Sequence, residues 1–177
     1  MLSGDCMDKE GASNSGPFIH LAQIGWFKLL SMFSKIYIPR KVYEEVSIPD
    51  KPGEAELRSA ENIEVLDVLE SDVEGIKARI GVKLDEGELQ ALCLCEKFGV
   101  NLFLTDDLDA RETGKKLGFE VHGSVGIIAR AYRECLVDLR ETENALKALY
   151  EVSSLFVAKE IIEMALKELR RFKKVKG

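Results

Sequence analysis

Hydrophobic positions along the chain change their period several times. Phe18, Ala22, Trp26, Leu29 and Phe33 recur at helical spacing and predict one amphipathic helix. Gly16-Pro17 stands at its start, with Ser15 or Gly16 as the cap. Ile36-Tyr37-Ile38 predicts a short strand ended by Pro39, and residues 40–46 a short helix; Pro49 and Pro52-Gly53 then mark a loop. Residues 54–60 predict a helix, 63–68 a strand or extended segment, and 72–80 a helix stopped by Gly81. Residues 85–98 follow as a helix whose middle is apolar nearly all round, so it is buried on several sides; Gly99 ends it. Leu102-Phe103-Leu104-Thr105 is the clearest buried strand. A helix over 109–117, the strand Phe119-Glu120-Val121 and a helix capped by Ser124 and reaching about 135 come next. Helices over 139–150 and 156–174 close the chain.

Strands alternating with helices predict a parallel sheet covered on both faces, an α/β fold. In such sheets ligands gather beyond the carboxyl ends of the strands. The 177 residues suffice for one core without a disulfide or metal staple. Apolar stretches of about five residues are too short to span a membrane, and the polar, acidic start carries no leader pattern, so a cytoplasmic protein is expected. Cys6, Cys93, Cys95 and Cys135 lack metal spacing and are expected as buried or semi-buried free thiols. Net charge is −6, yet residues 167–177 hold six basic groups against one acidic, leaving the rest at −11. A polyanion could approach such a body only through the basic tail, a local basic strip or bound cations.

Acidic or amide side chains fall at four strand or helix ends. Asn14 precedes the first helix, Glu45 follows the Ile36–Ile38 strand, Glu88 opens the buried helix, and Asp106-Asp107 follow Leu102–Thr105. Glu45 alone is most simply a solvated helix residue. Glu88 fits the third position of a capping box whose cap is Asp85. Adjacent carboxylates at the end of a buried strand repel one another, which a cation would relieve. Convergence of these side chains without histidine or cysteine would make a hard-oxygen site suited to Mg²⁺ or Mn²⁺ and to phosphate substrates. Arg111, four residues after Asp107, is either a helical ion-pair partner or a phosphate contact. Ser124 is read as an N-cap, and His122, at the end of the last strand, as a satisfied surface residue. A receiver-like phosphoacceptor domain would want a lysine after the last strand, and Gly123-Ser124 supplies none.

The run Ser13-Asn14-Ser15-Gly16-Pro17-Phe18-Ile19-His20-Leu21-Ala22-Gln23-Ile24-Gly25 resembles the opening motif of PIN-domain proteins. Within that family the chain is similar to stand-alone prokaryotic members related to VapC-type toxins. Ile38-Pro39, Val42-Tyr43-Glu44-Glu45-Val46, Gly87-Glu88, Leu104-Thr105-Asp106-Asp107 and Gly123-Ser124-Val125-Gly126 continue the resemblance over residues 13–171. It implies a three-layer α/β/α sandwich with a parallel sheet of about five strands. It also implies Mg²⁺- or Mn²⁺-dependent cleavage of single-stranded RNA. Asn14, Glu45, Glu88, Asp106 and Asp107 are the metal ligands it implies, with Glu45, Glu88 and Asp107 catalytic. Ser15, Thr105 and Asp109 would support them; Arg111 and Ser124, read first as an ion-pair partner and an N-cap, are the alternative candidates for phosphate contacts. A small antitoxin protein and a second copy of the chain are the implied protein partners. The division expected is an atypical segment over 1–12, the PIN-like domain over 13–138, and helices with a basic tail over 139–177 packing on the same domain. Two features depart from the pattern. Asn14 stands where the family usually has Asp. The segment before it carries Asp8, Lys9, Glu10 and Gly11 where a buried apolar strand belongs, so that strand is expected to be short, displaced or missing.

Overall fold

The computed structural model describes residues 9–176. Cys6 and most of the expected N-terminal segment lie outside these residues, as do the side chains of Lys173, Lys174 and Lys176 in the basic tail. Five strands, β1 (Glu10–Ser13), β2 (Lys35–Pro39), β3 (Ile63–Leu66), β4 (Leu102–Leu104) and β5 (Glu120–His122), form one all-parallel sheet in the order β3-β2-β1-β4-β5. Alternation along the strands sorts side chains to two faces. Ile36, Ile38, Leu102 and Leu104 join the core on one side. Ala12, Tyr37 and Phe103 join the core on the other. The helices α1 (Gly16–Gln23), α7 (Ser124–Arg133), α8 (Leu139–Glu151) and α9 (Lys159–Lys176) cover the first face. The second is covered by α4 (Glu70–Lys77) and α5 (Glu86–Phe98), with Ala110 of α6 (Leu108–Lys116) at its edge. Two short helices, α2 (Arg40–Val46) and α3 (Glu54–Ser59), bridge the early strands. This is the α/β/α sandwich that the alternation predicts. No helix among the described residues is long and apolar enough to cross a membrane.

β1 is short, as expected, yet it occupies the middle of the sheet. It does so without burying a charge. Glu10 stays half-buried and accepts a hydrogen bond from the Tyr37 hydroxyl, while Lys9, just before the strand, pairs with Glu134. Only Gly11, Ala12 and Ser13 are buried. Gly11 is required there, since a Cβ would lie 2.9 Å from the Leu102 carbonyl oxygen on β4.

The single helix expected over 18–33 is broken. Gly25 takes a left-handed conformation (φ +74°), and the Trp26 amide closes back onto the Leu21 carbonyl at 2.8 Å. A 3₁₀ helix, Phe27–Met32, then resumes and keeps Leu29 and Leu30 in the same core as Phe18 and Leu21. The apolar spacing survives the break because both pieces bury one face against α7. The helix caps follow expectation only in part. Ser15 holds the N-cap position of α1 as expected but makes no capping hydrogen bond; Asn14 Oδ1 accepts the Gly16 amide at 3.3 Å instead. Gly123 holds the N-cap position of α7, leaving Ser124 as its first helical residue. Burial raises the thiol pKa values of Cys93 and Cys95 to about 11 and about 12, so both stay protonated at neutral pH, whereas Cys135, against expectation, is exposed.

Candidate functional site

Strand order reverses between β1 and β4, which makes their carboxyl ends the switch point of the sheet. Asn14 leaves β1 there, and Thr105-Asp106-Asp107 leave β4 beside it. The ladder runs one residue beyond both strands: the Asn14 amide donates to Leu104 O (3.1 Å) and the Thr105 amide to His122 O (2.9 Å). Asn14 is buried, and its Nδ2 donates to Thr105 Oγ1 at 2.8 Å. Thr105 Oγ1 also accepts the Asp107 amide at 3.2 Å. Thr105 Oγ1 is thus bonded to the residues on both sides of the switch point.

Asp106 turns inward. Its carboxylate accepts the Ser124 amide (2.6 Å), the Ser124 hydroxyl (2.6 Å) and His20 Nδ1 (2.7 Å). Its side chain is only 6% exposed. Of roughly four lone-pair positions on a carboxylate, three are taken. Glycines make the approach: a Cβ on Gly123 would meet Asp106 Oδ1 at 2.7 Å, and one on Gly16 would meet Asp106 Cβ at 3.3 Å. In the sequence His20 stands out only as a lone polar side chain in the apolar run Phe18-Ile19-His20-Leu21.

Asp107 turns the other way, toward solvent. Its Oδ1 accepts the Ala110 amide at 2.8 Å and so caps α6. Across the crevice Glu88 accepts the Asp85 amide at 2.9 Å, completing the capping box read from sequence. Burial, and then the charges of Asp107, Asp85 and Asp109, push the Glu88 carboxyl up to about 7, against the hydrogen bond from Asp85 that lowers it. Glu45, on α2, brings its carboxylate to the backbone of Gly87; a Cβ there would lie 3.5 Å from Oε1. Glu45, Glu88, Asp107 and Asp109 thus gather around the first turn of α5 and the first turn of α6.

In donor chemistry this set fits a hard divalent cation: every group offers oxygen, and the Glu88–Asp107–Asp109 repulsion is the kind a cation removes. Among the described residues, however, no three His, Cys, Asp or Glu side chains are drawn into a ligating group. Three of the carboxylates each accept a protein amide: Glu88 that of Asp85, Asp107 that of Ala110 and Asp106 that of Ser124.

The other expected residues are dispersed in role. Ser15 makes no side-chain hydrogen bond among the described residues. Asp109 is exposed on the first turn of α6. Arg111 is half-buried and makes no ion pair among the described residues; its Nη1 lies 3.3 Å from the Cβ position of Gly123. Ser124 is buried and its hydroxyl is committed to Asp106. His122 is held by Glu120 at 2.6 Å, as a satisfied side chain should be. In the basic tail, Arg170 is tied to Glu143 of α8 at 2.8 Å.

A protein-family model, DUF3368, described as a PIN domain, matches residues 12–171. No curated protein matches the chain.

Proposed function

Because the chain belongs to the PIN-domain family, we propose that it is a Mg²⁺- or Mn²⁺-dependent ribonuclease that hydrolyses single-stranded RNA. One observation carries the proposal. The carboxyl of Glu88 is raised to about 7 by burial and by the charges of Asp107 and Asp109 at the sheet's switch point. Glu45, Glu88 and Asp107 would hold the cation, with the neutral oxygen of Asn14 as a weaker donor. Bound there, the ion supplies Lewis acidity toward water and the phosphodiester. Thr105 keeps the Asn14 and Asp107 side chains in register by bonding to Asn14 Nδ2 and the Asp107 amide. Arg111, half-buried and without an ion-pair partner among the described residues, would take a substrate phosphate oxygen. No activated serine or cysteine accompanies the acids, so direct attack by water, leaving a 5′-phosphate, is the reaction proposed. The biological settings that go with it are RNA processing and a toxin restrained by a small antitoxin.

A second proposal keeps the fold without catalysis, as an RNA- or protein-binding module. Asn14 favours it: the side chain at the first acidic position is neutral and already bonded through both ends, to Thr105 and Gly16. The deciding experiment incubates a single-stranded RNA oligonucleotide with the protein and Mn²⁺, with EDTA and Asp107→Asn as controls. Mn²⁺-dependent fragments lost in both controls support the nuclease. Intact RNA, with a melting temperature unmoved by Mn²⁺, supports the binding module.

A further inference from the structure

We propose that Asp106 is a positioning residue rather than a metal ligand, a clamp that fixes the two ends of the cation site. This rests on the nuclease proposal above and assigns a task within that site. The carboxylate closes a circuit of chain and hydrogen bonds. Asn14 leads into α1; one turn along α1, His20 bonds to Asp106; Asp106 is preceded by Thr105; and Thr105 bonds back to Asn14. The same carboxylate holds the first residue of α7 through both the amide and the hydroxyl of Ser124.

Two adjacent aspartates thereby divide the work. Residue 106 faces the protein, with its side chain almost fully covered, and residue 107 faces the crevice and Glu88. A cation reaching Asp106 would have to displace hydrogen bonds from Ser124 and His20. Gly16 and Gly123 pack against the same side chain: a Cβ on Gly123 would clash with Asp106 Oδ1 at 2.7 Å, and one on Gly16 would crowd Asp106 Cβ at 3.3 Å.

The isostere separates clamp from ligand. In Asp106→Asn the amide oxygen can still accept the Ser124 amide. Its two N–H groups can donate to the Ser124 hydroxyl oxygen and to His20 Nδ1 in the other tautomer. As a ligand, by contrast, the neutral amide would bind a divalent cation far more weakly than a carboxylate. The experiment measures Mn²⁺ affinity, from the free-ion EPR signal, and the metal-free melting temperature for wild type, Asp106→Asn, Asp106→Ala and Asp107→Asn.

For a clamp, Asp106→Ala weakens Mn²⁺ binding by about 10–100-fold, as loss of an outer support does, and lowers the metal-free midpoint by about 5 °C. Asp106→Asn restores both, to within about threefold and about 2 °C of wild type. Asp107→Asn loses Mn²⁺ binding while melting like wild type. The proposal is overturned if Asp106→Asn melts like wild type but binds Mn²⁺ as poorly as Asp106→Ala, which marks a ligand. It is equally overturned if Asp106→Asn melts as low as Asp106→Ala, or if Asp106→Ala changes neither quantity. A wild type that takes up no Mn²⁺ overturns the nuclease proposal instead, and the clamp is then decided by the melting comparison alone.

Discussion

Asn14 Nδ2 donates to Thr105 Oγ1 at 2.8 Å, and that bond joins the ends of the two central strands β1 and β4. Thr105 Oγ1 is an acceptor twice over, from Asn14 and from the Asp107 amide, so its own hydrogen is not used in either bond. Replacing Asn14 by Asp would let that hydrogen donate to the new carboxylate, and the link between strands would persist with its direction reversed. The substitution adds a negative oxygen near Asp106 and Asp107. We expect Asn14→Asp to bind Mn²⁺ about tenfold more tightly and to raise RNA cleavage. Isothermal titration with Mn²⁺ and a fluorescent RNA assay check both. Unchanged affinity would remove Asn14 from the cation site.

Asp107 combines two tasks that one substitution can separate. Its Oδ1 caps α6 through the Ala110 amide, and asparagine caps a helix about as well as aspartate. Asp107→Asn should therefore keep the metal-free melting temperature within about 2 °C of wild type. It should abolish both the thermal gain on adding Mn²⁺ and the cleavage of RNA. Differential scanning fluorimetry with and without Mn²⁺ measures the first pair of quantities. A large loss of metal-free stability would mean that the cap geometry, and not the charge, was what the substitution disturbed.

Glu88 makes stability depend on pH in a direction opposite to that of most carboxylates. Its pKa rises from 4.5 to about 7 in the folded protein, so between those values the native state binds more protons than the unfolded chain. Stability contributed by this group is consequently lost as pH rises from about 4.5 through about 7. Glu88→Gln keeps an oxygen to accept the Asp85 amide and removes the charge. At pH 8 the variant should be more stable than wild type by on the order of 1 kcal/mol, after allowance for solvent screening. At pH 5 the two should converge. Urea unfolding at both pH values checks this, and an equal difference at both would point to packing instead of ionisation.

The sequence exposed the layer order more readily than the division of labour within the site. Strong local signals placed elements well: residues 40–46 and 86–98 are helices because Pro39, Asp85 and Gly99 punctuate unbroken apolar faces. The break at Gly25 was hidden because the 3₁₀ helix after it keeps the same face inward. β1 looked too polar for the middle of a sheet, yet only three of its residues are buried and Tyr37 serves the fourth. In the site, position along the chain brought Asn14 and Asp107 to one crevice. It could not tell that Asp106 would face the opposite way, since adjacent residues at a strand end diverge only once α1 and α7 are packed. His20 and Ser124 meet Asp106 across separations of 86 and 18 residues, and no local pattern encodes such contacts.

Two glycines provide a matched test of how tightly the crevice floor is built. Gly123 has an ordinary φ of −95°, so alanine there suffers no backbone penalty. Its Cβ, however, would sit 2.7 Å from Asp106 Oδ1 and 3.1 Å from the Thr105 carbonyl oxygen, contacts that force α7 or the Asp106 carboxylate to move. Gly75, on the exposed side of α4, has nothing within 4 Å of the same position. Gly75→Ala should stabilise the protein by about 0.5–1 kcal/mol, because alanine is the better helix former. Gly123→Ala should destabilise it by about 1–3 kcal/mol, the usual range for overpacking. Since the strain falls on the carboxylate that holds Ser124 and His20, the Gly123 variant should also lose Mn²⁺ affinity, while Gly75→Ala should retain it. Chemical denaturation and Mn²⁺ titration on both proteins measure the contrast. If Gly123→Ala is as stable as Gly75→Ala, the approach of α7 to the end of β4 is looser than the glycine geometry requires.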